Sequence, residues 1–180
     1  MKSYLKWSLS LLLDHLLAVL ASALFFGFLG AWDFGLVTLL CAVISIVCAL
    51  FIPYHDSWKV GTADMNVLKR TGGEAHKARG IIAGAFASIP SVLIAIFAFC
   101  SATFGLSFGH VMNQSLVEVI YRIWFFPFAC IFPYLASAPT LYFVPILSTP
   151  VAAGVGYFFG RNKLMLRDYL YYRREKNTTK

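Results

Sequence analysis

Long apolar runs separated by short polar segments constrain the fold of this chain more than any other feature of its sequence. Four such runs, at residues 7–30, 35–53, 80–104 and 140–160, match the roughly 20 residues that a helix needs to cross the hydrocarbon core of a bilayer. Of the 180 residues, 59% are hydrophobic and only 13% are charged, whereas about 25% of a soluble domain is charged. We therefore predict an all-α polytopic integral membrane protein, in which residues 1–180 form one domain around a four-transmembrane-helix bundle.

The positions of the basic residues predict how these helices are oriented. All but Arg122 of the 15 lysine and arginine residues lie in the N-terminus, between residues 54 and 79, or after residue 160. Because positive residues accumulate in short cytoplasmic loops, we expect both termini, the loop 54–79 and the tail 161–180 to be cytoplasmic, in a plasma or cytoplasmic membrane. This distribution assigns the net charge of +7 to membrane topology, so no nucleic-acid partner is expected.

The segment 105–139 is the ambiguous part of the sequence. Residues 115–139 are long enough for a fifth crossing, but that crossing would carry the basic tail to the outer side of the membrane. Charged residues and prolines also interrupt this stretch: Glu118, Arg122, Pro127, Pro133 and Pro139. We predict an outer-face segment that is part interfacial helix and part re-entrant, with Glu118 and Arg122 spaced for an ion pair on a helix surface.

Two prolines mark expected irregularities in the predicted helices. Pro53 is expected to end the second helix, so that 54–79 becomes a loop with one short helix around residues 63–70. Pro90 is expected to kink the third helix, because proline lacks the N–H group that the helical hydrogen bond requires.

Pairs of small residues four positions apart predict where the helices touch. Helices in lipid gain little from burying apolar surface against one another, so close contact depends on small side chains. The pairs are Ala23 with Gly27, Gly80 with Gly84, and Gly156 with Gly160. We predict that they form a packing seam within one molecule; the alternative is a seam between two copies.

Asp14 and His15 are the ionisable residues that the sequence places inside a predicted span. They lie about two turns, or about 10 Å, into the first helix. An ionisable group within a membrane is costly and is a functional hypothesis by default. The functional interpretation is a proton or ion relay that uses both side chains. The alternative is a helix that begins near Leu9, so that Asp14 reaches the cytoplasmic interface or a cation of the tail.

The remaining polar residues form no recognisable catalytic or metal-binding pattern. The sequence contains no H-E-x-x-H, no G-x-S-x-G and no phosphate-binding glycine loop. The four cysteines lie in apolar stretches without a C-x-x-C pair, so they are expected to pack as small hydrophobic residues. We therefore predict no enzymatic activity, no cofactor and no metal.

The tail that follows the last span interleaves basic and aromatic residues. Such a mixture directly after a transmembrane helix is typical of an anchor at the lipid headgroups, where each Lys or Arg contributes about 1 kcal/mol toward anionic lipid. The predicted headgroup collar consists of Arg161, Lys163, Arg167, Arg173 and Arg174. Membrane lipids, including anionic ones, are therefore the expected partners.

Two functions are compatible with these features. A non-enzymatic accessory or structural subunit of a membrane assembly suits the compact size, the few intramembrane charges and the small-residue pairs, and its partner would be another membrane protein or a second copy. The alternative is a small oligomeric transporter or channel, proton-coupled through Asp14 and His15. The sequence favours the first and leaves the second open.

Overall fold

The computed structural model describes residues 2–29, 35–71, 78–104, 114–135 and 137–162, and these residues contain helices and no strands. The α-helices are α1 (Lys2–Leu29), α2 (Gly35–Thr71), α3 (Arg79–Ala87), α4 (Ile89–Phe104), α5 (Gln114–Trp124) and α6 (Ser148–Arg161). Two 3-10 helices, Phe126–Tyr134 and Pro139–Leu147, lie between α5 and α6. The predicted all-α class is confirmed for the part of the chain that the structure describes.

Three helical stretches in the described ranges are long and apolar enough to cross a membrane: Tyr4–Phe26, Leu39–Thr71 and Pro139–Arg161. The last of these joins the second 3-10 helix to α6. Helices α3 and α4 meet the same criterion together, although they are bent by 50° at the break between them. The structure thus offers three candidate crossings, or four if the bent pair is one span.

Helix α2 corrects two predictions, because it does not end at Pro53. It runs for 37 residues to Thr71, so the predicted loop from residue 54 is helical as far as that residue; residues 72–77 lie outside the described ranges. A proline inside a helix removes one hydrogen bond and costs about 3 kcal/mol. Packing offsets this cost, because Pro53 belongs to a buried face with a small residue at every fourth position. That face consists of Cys41, Ser45, Ala49, Pro53, Ser57 and Gly61.

The kink predicted at Pro90 is confirmed by the break between α3 and α4. Ser88 separates α3 from α4, and its hydroxyl donates to the Gly84 carbonyl oxygen at 2.9 Å. The bend exposes the Ser91 hydroxyl to α5, where it accepts a 2.9 Å hydrogen bond from the Trp124 indole N–H. A side chain of another helix therefore lies against the bend.

The segment between α4 and α6 folds back on itself. The Tyr121 ring of α5 lies 6.1 Å from the Phe132 ring of the first 3-10 helix and 4.7 Å from the Tyr142 ring of the second. These three pieces therefore lie side by side around one buried aromatic centre. Prolines explain why the last two pieces are short 3-10 helices, since each proline removes a backbone donor. They recur at every sixth residue, at Pro127, Pro133, Pro139 and Pro145.

Candidate functional site

Asp14 and His15, the two residues proposed as a relay, are both buried in α1 but face different helices. Asp14 is 7% exposed and His15 is 8% exposed. Neighbouring helical residues point about 100° apart, and here this angle directs Asp14 toward α2 and His15 toward α5. The structure therefore does not bring the two side chains into one cavity, and each has its own surroundings.

Asp14 faces a second carboxyl group and a lysine of α2. Its carboxyl lies within hydrogen-bonding reach of the Asp56 carboxyl, and the Lys59 ammonium is close enough to interact with it. Lys59 also forms an ion pair with Asp56, with 3.0 Å between Nζ and Oδ1. Within the described residues, Asp14 Oδ2 has no hydrogen-bond partner. One buried and one partly exposed carboxyl thus share the Lys59 cation.

His15 binds the end of α5. Its Nε2 lies 3.1 Å from the Trp124 carbonyl oxygen, and its ring lies 5.2 Å from the Trp124 ring and 6.2 Å from the Phe125 ring. A carbonyl oxygen can only accept, so Nε2 carries the proton and donates it. The Trp124 carbonyl belongs to the last turn of a helix, where acceptors lack a partner within the helix. His15 therefore supplies a donor to the terminus of α5.

A second polar cluster joins α2, α3 and α6 through Asp64. Asp64 Oδ2 accepts from Arg79 Nη1 at 2.5 Å and from the Tyr157 hydroxyl at 3.0 Å. The Arg79 guanidinium also lies over two rings of α1, 5.1 Å from the centroid of Tyr4 and 6.0 Å from that of Trp7. This cluster therefore connects α1, α2, α3 and α6 near the first residues of α1.

Four of the predicted packing glycines lie at contacts between helices. A Cβ atom on Gly80 would meet the Tyr157 side chain at 2.5 Å, and one on Gly84 would meet the Pro150 Cα at 2.7 Å. On α6, Gly156 lies against the Tyr54 carbonyl and Gly160 against the Trp58 carbonyl of α2. The third pair differs: Ala23 is exposed, and the surroundings of Gly27 lie outside what is described.

The predicted headgroup collar is described only at its first residue. Arg161 ends α6 and is partly buried. Lys163, Arg167, Arg173 and Arg174 lie outside the described residues. Among the described residues, no group of three or more His, Cys, Asp or Glu side chains is arranged to hold a metal ion.

No protein-family model, curated protein or solved structure matches this chain. Sequence reasoning found Asp14 but missed Asp56 and Lys59, because it assigned them to a loop. The available signal was the repeat of small side chains at every fourth residue through Pro53. This repeat predicts that the helix continues past Pro53, and position 56 then lies beside its buried face.

Proposed function

We propose that this protein is integral to a membrane, with both termini in the cytoplasm. The candidate spans are α1, α2, the bent α3–α4 pair and the stretch Pro139–Arg161, and the basic segments then share one side. We further propose that α5 enters the membrane from the outer face and that the first 3-10 helix returns to this face. This proposal is supported by Tyr121 of α5, which contacts Phe132 of the first 3-10 helix and Tyr142 of the second. The basic collar that begins at Arg161 would then contact anionic lipid headgroups.

Cysteine labelling with a membrane-impermeant maleimide tests this orientation. Ser137 is exposed between the two 3-10 helices, and Asn66 is exposed on the last part of α2. In a chain without native cysteines, we expect Ser137→Cys to react in intact cells and Asn66→Cys to react only after the cells are opened. Reaction of both variants in intact cells, or of neither, would contradict the topology.

We also propose that the protein moves protons across the membrane and that Asp14 is the group that binds them. The observation that carries this proposal is the buried Asp14 carboxyl, which has an oxygen without a partner among the described residues and faces Asp56. Two carboxylates at close range repel each other when both are ionised, and Asp14 Oδ2 has no other partner among the described residues. A proton is therefore the simplest occupant of the pair, which matches the transport hypothesis better than catalysis.

The partners of Asp14 also give it a route to water. The Asp56 side chain is 34% exposed and the Lys59 side chain is 59% exposed. A proton that arrives at this surface meets Asp56 before Asp14, and Lys59 balances the charge of whichever carboxyl is ionised. In the proposed orientation this route opens to the cytoplasm.

Proton uptake by proteoliposomes tests the function. Vesicles that contain purified protein and a trapped pH-sensitive dye are given a potassium diffusion potential with valinomycin. We expect faster acidification than in protein-free vesicles, and we expect Asp14→Asn and Asp56→Asn to abolish the difference because the amide cannot bind the proton. Glu118→Gln is the matched control, since Glu118 is exposed and pairs with Arg122 on the surface of α5.

Equal proton uptake in vesicles with and without the natural protein would contradict the transport proposal. The non-enzymatic accessory subunit is then the better assignment. A specific observation favours it: α2 extends for about 55 Å at 1.5 Å per residue, whereas the hydrocarbon core is about 30 Å thick. The surplus turns carry exposed Asn66, Val67, Lys69 and Arg70. Recovery of one membrane partner from native membranes would support that assignment.

A further inference from the structure

Three aromatic rings follow one another on an exposed face of α2. The Phe51 and His55 ring centroids lie 5.9 Å apart, the His55 and Trp58 centroids lie 6.4 Å apart, and the planes in each pair are parallel to within 8°. Residues three or four positions apart share one face of a helix, and Phe51 and His55 are both exposed. These three side chains, hereafter the ring stack, lie opposite the buried face that includes Pro53 and Ser57. The ring stack therefore faces outward.

The ring stack fixes the orientation of the His55 imidazole. The distances between its ring centroids fall in the range of about 4.5–7 Å that favours contacts between aromatic rings. Because parallel neighbours at Phe51 and Trp58 restrict rotation of the imidazole, its edge, which carries both nitrogens, is the part left to bind a ligand. In either neutral tautomer one of these nitrogens carries a hydrogen and donates it. His55 thus presents a hydrogen-bond donor in a defined direction on the surface of α2.

Lys59 adds a positive charge beside this imidazole. It follows His55 by four residues, or about 6 Å along the same helix face, and its side chain is 59% exposed. The ion pair with Asp56, with 3.0 Å between Nζ and Oδ1, uses one of the three N–H groups of the ammonium, so two remain for a second acceptor. Donors from an imidazole and an ammonium on adjacent turns favour an anionic ligand of the size of a phosphate group.

The turns of α2 that precede the ring stack are apolar on the same exposed side. Ile44 is 39% exposed, Val47 is 55% exposed and Phe51 is 58% exposed. Along this side of the helix, apolar side chains are therefore followed by the imidazole of His55 and then by the ammonium of Lys59. A phospholipid has the same order of polarity, with acyl chains that are followed by a phosphate.

We propose that this side of α2 binds one phospholipid, whose phosphate accepts hydrogen bonds from His55 and Lys59 and whose acyl chain lies along Val47 and Phe51. The inference rests on the proposed membrane location, in which the apolar run of α2 ends at the cytoplasmic headgroups. The site is separate from the basic collar that begins at Arg161, because the ring stack orients its imidazole donor toward a single phosphate. A free phosphate ion would use the two donors and leave the apolar side chains without a ligand.

Native mass spectrometry of the purified full chain in detergent tests the site. Dioleoylphosphatidylglycerol is titrated into the sample, and the fraction of protein that carries one lipid gives the dissociation constant. We expect His55→Phe to raise this constant about tenfold, because phenylalanine keeps the ring stack and loses the donor to a charged acceptor. Lys59→Ala should raise it at least as much. Lys69→Ala is the matched control, since Lys69 is an exposed cation about 15 Å further along α2, and the constant should stay unchanged.

Equal dissociation constants for the natural, His55→Phe and Lys59→Ala chains would overturn the proposal, because the two donors would then not bind the phosphate. Equal binding of dioleoylglycerol, which has the acyl chains without the phosphate, would overturn it by reducing the site to an apolar surface. Displacement of the lipid by excess inorganic phosphate would overturn it in favour of a site for a free anion.

Failure of the lipid site can be distinguished from failure of the proposed membrane location and of proton transport. Lipid binding in detergent is measured without proton uptake. If the labelling of Ser137→Cys and Asn66→Cys follows the proposed topology while lipid binding is the same in all variants, the phospholipid site is wrong and the membrane location stands.

Discussion

Alanine in place of Gly156 or Gly160 should destabilise the folded protein by about 3 kcal/mol, the upper part of the range for overpacked positions. Both glycines lie on α6 where its backbone touches that of α2. A methyl group on Gly156 would overlap the Tyr54 carbonyl, and one on Gly160 would overlap the Trp58 carbonyl. Neither obstacle is a flexible side chain, so the helices must separate.

Separation of these helices also breaks the contact between a glycine of α2 and the backbone of α6. Gly61 of α2 lies against the Tyr157 carbonyl and the Arg161 N–H of α6. The Thr62 hydroxyl shares its proton between the Trp58 carbonyl oxygen at 3.0 Å and the Gly160 carbonyl oxygen at 3.2 Å, and it would lose the second of these contacts. The expected destabilisation therefore has two sources, the steric overlap at the glycine and the loss of a hydrogen-bonding contact between α2 and α6.

Thermal unfolding in mild detergent measures the effect, with Gly154→Ala as the matched control. Gly154 lies on the same helix, but the atoms nearest to a methyl group there belong to the Ile81 side chain, with Cγ1 at 2.5 Å, and this side chain can change its rotamer. Every Gly→Ala change gains about 1 kcal/mol of helix propensity, so the control should be as stable as the natural chain or slightly more so. If all three variants melt alike, α2 and α6 do not touch as described.

Asn in place of Asp64 should destabilise the protein by about 2 kcal/mol, less than for a fully buried ion pair because the groups are partly hydrated. The Asp64 and Arg79 side chains are 21% and 22% exposed. Loss of the carboxylate charge removes the ion pair between Asp64 and the Arg79 guanidinium, which also lies over the rings of Tyr4 and Trp7. The Tyr157 hydroxyl also loses a charged acceptor, and charged acceptors form the stronger hydrogen bonds.

Glu118→Gln is the control for this second prediction, because it removes another ion pair between a carboxylate and an arginine, but from an exposed surface. Glu118 and Arg122 lie 2.6 Å apart on one helix, with side chains 42% and 49% exposed. Exposed pairs of this kind contribute about 0.5 kcal/mol or less. Equal melting of Asp64→Asn and Glu118→Gln would show that Asp64 does not join the helices. Combination with Tyr157→Phe then separates the hydroxyl contact from the arginine contact.

The features that the sequence predicted correctly depend on neighbouring residues. The all-α class and the candidate spans follow from hydrophobic runs, the bend at Pro90 follows from a missing N–H, and the ion pair of Glu118 with Arg122 follows from i,i+4 spacing. Each requires knowledge of a few positions along one helix. The presence of a carboxyl group inside an apolar run, at Asp14, was visible for the same reason.

The features that the sequence missed depend on contacts between distant segments. The rule that Pro53 ends a helix is local, and it was wrong because α6 packs its glycines against the α2 backbone just after that proline, at Tyr54 and Trp58. Once α2 continued, it placed Asp56 and Lys59 beside Asp14, which a loop would not have done. The pairing of Asp64 with Arg79 and Tyr157 joins three helices, so no spacing in the sequence encodes it.

The apolar runs and the placement of Asp14 in the first of them were determined by the sequence alone, because hydrophobicity is a property of each residue. Only the tertiary structure decided what Asp14 and His15 face. Two adjacent residues on a helix point apart, and the identity of the helix on each side depends on packing across the whole bundle. That packing directs Asp14 to a second carboxyl and a lysine, and it directs His15 to the end of α5.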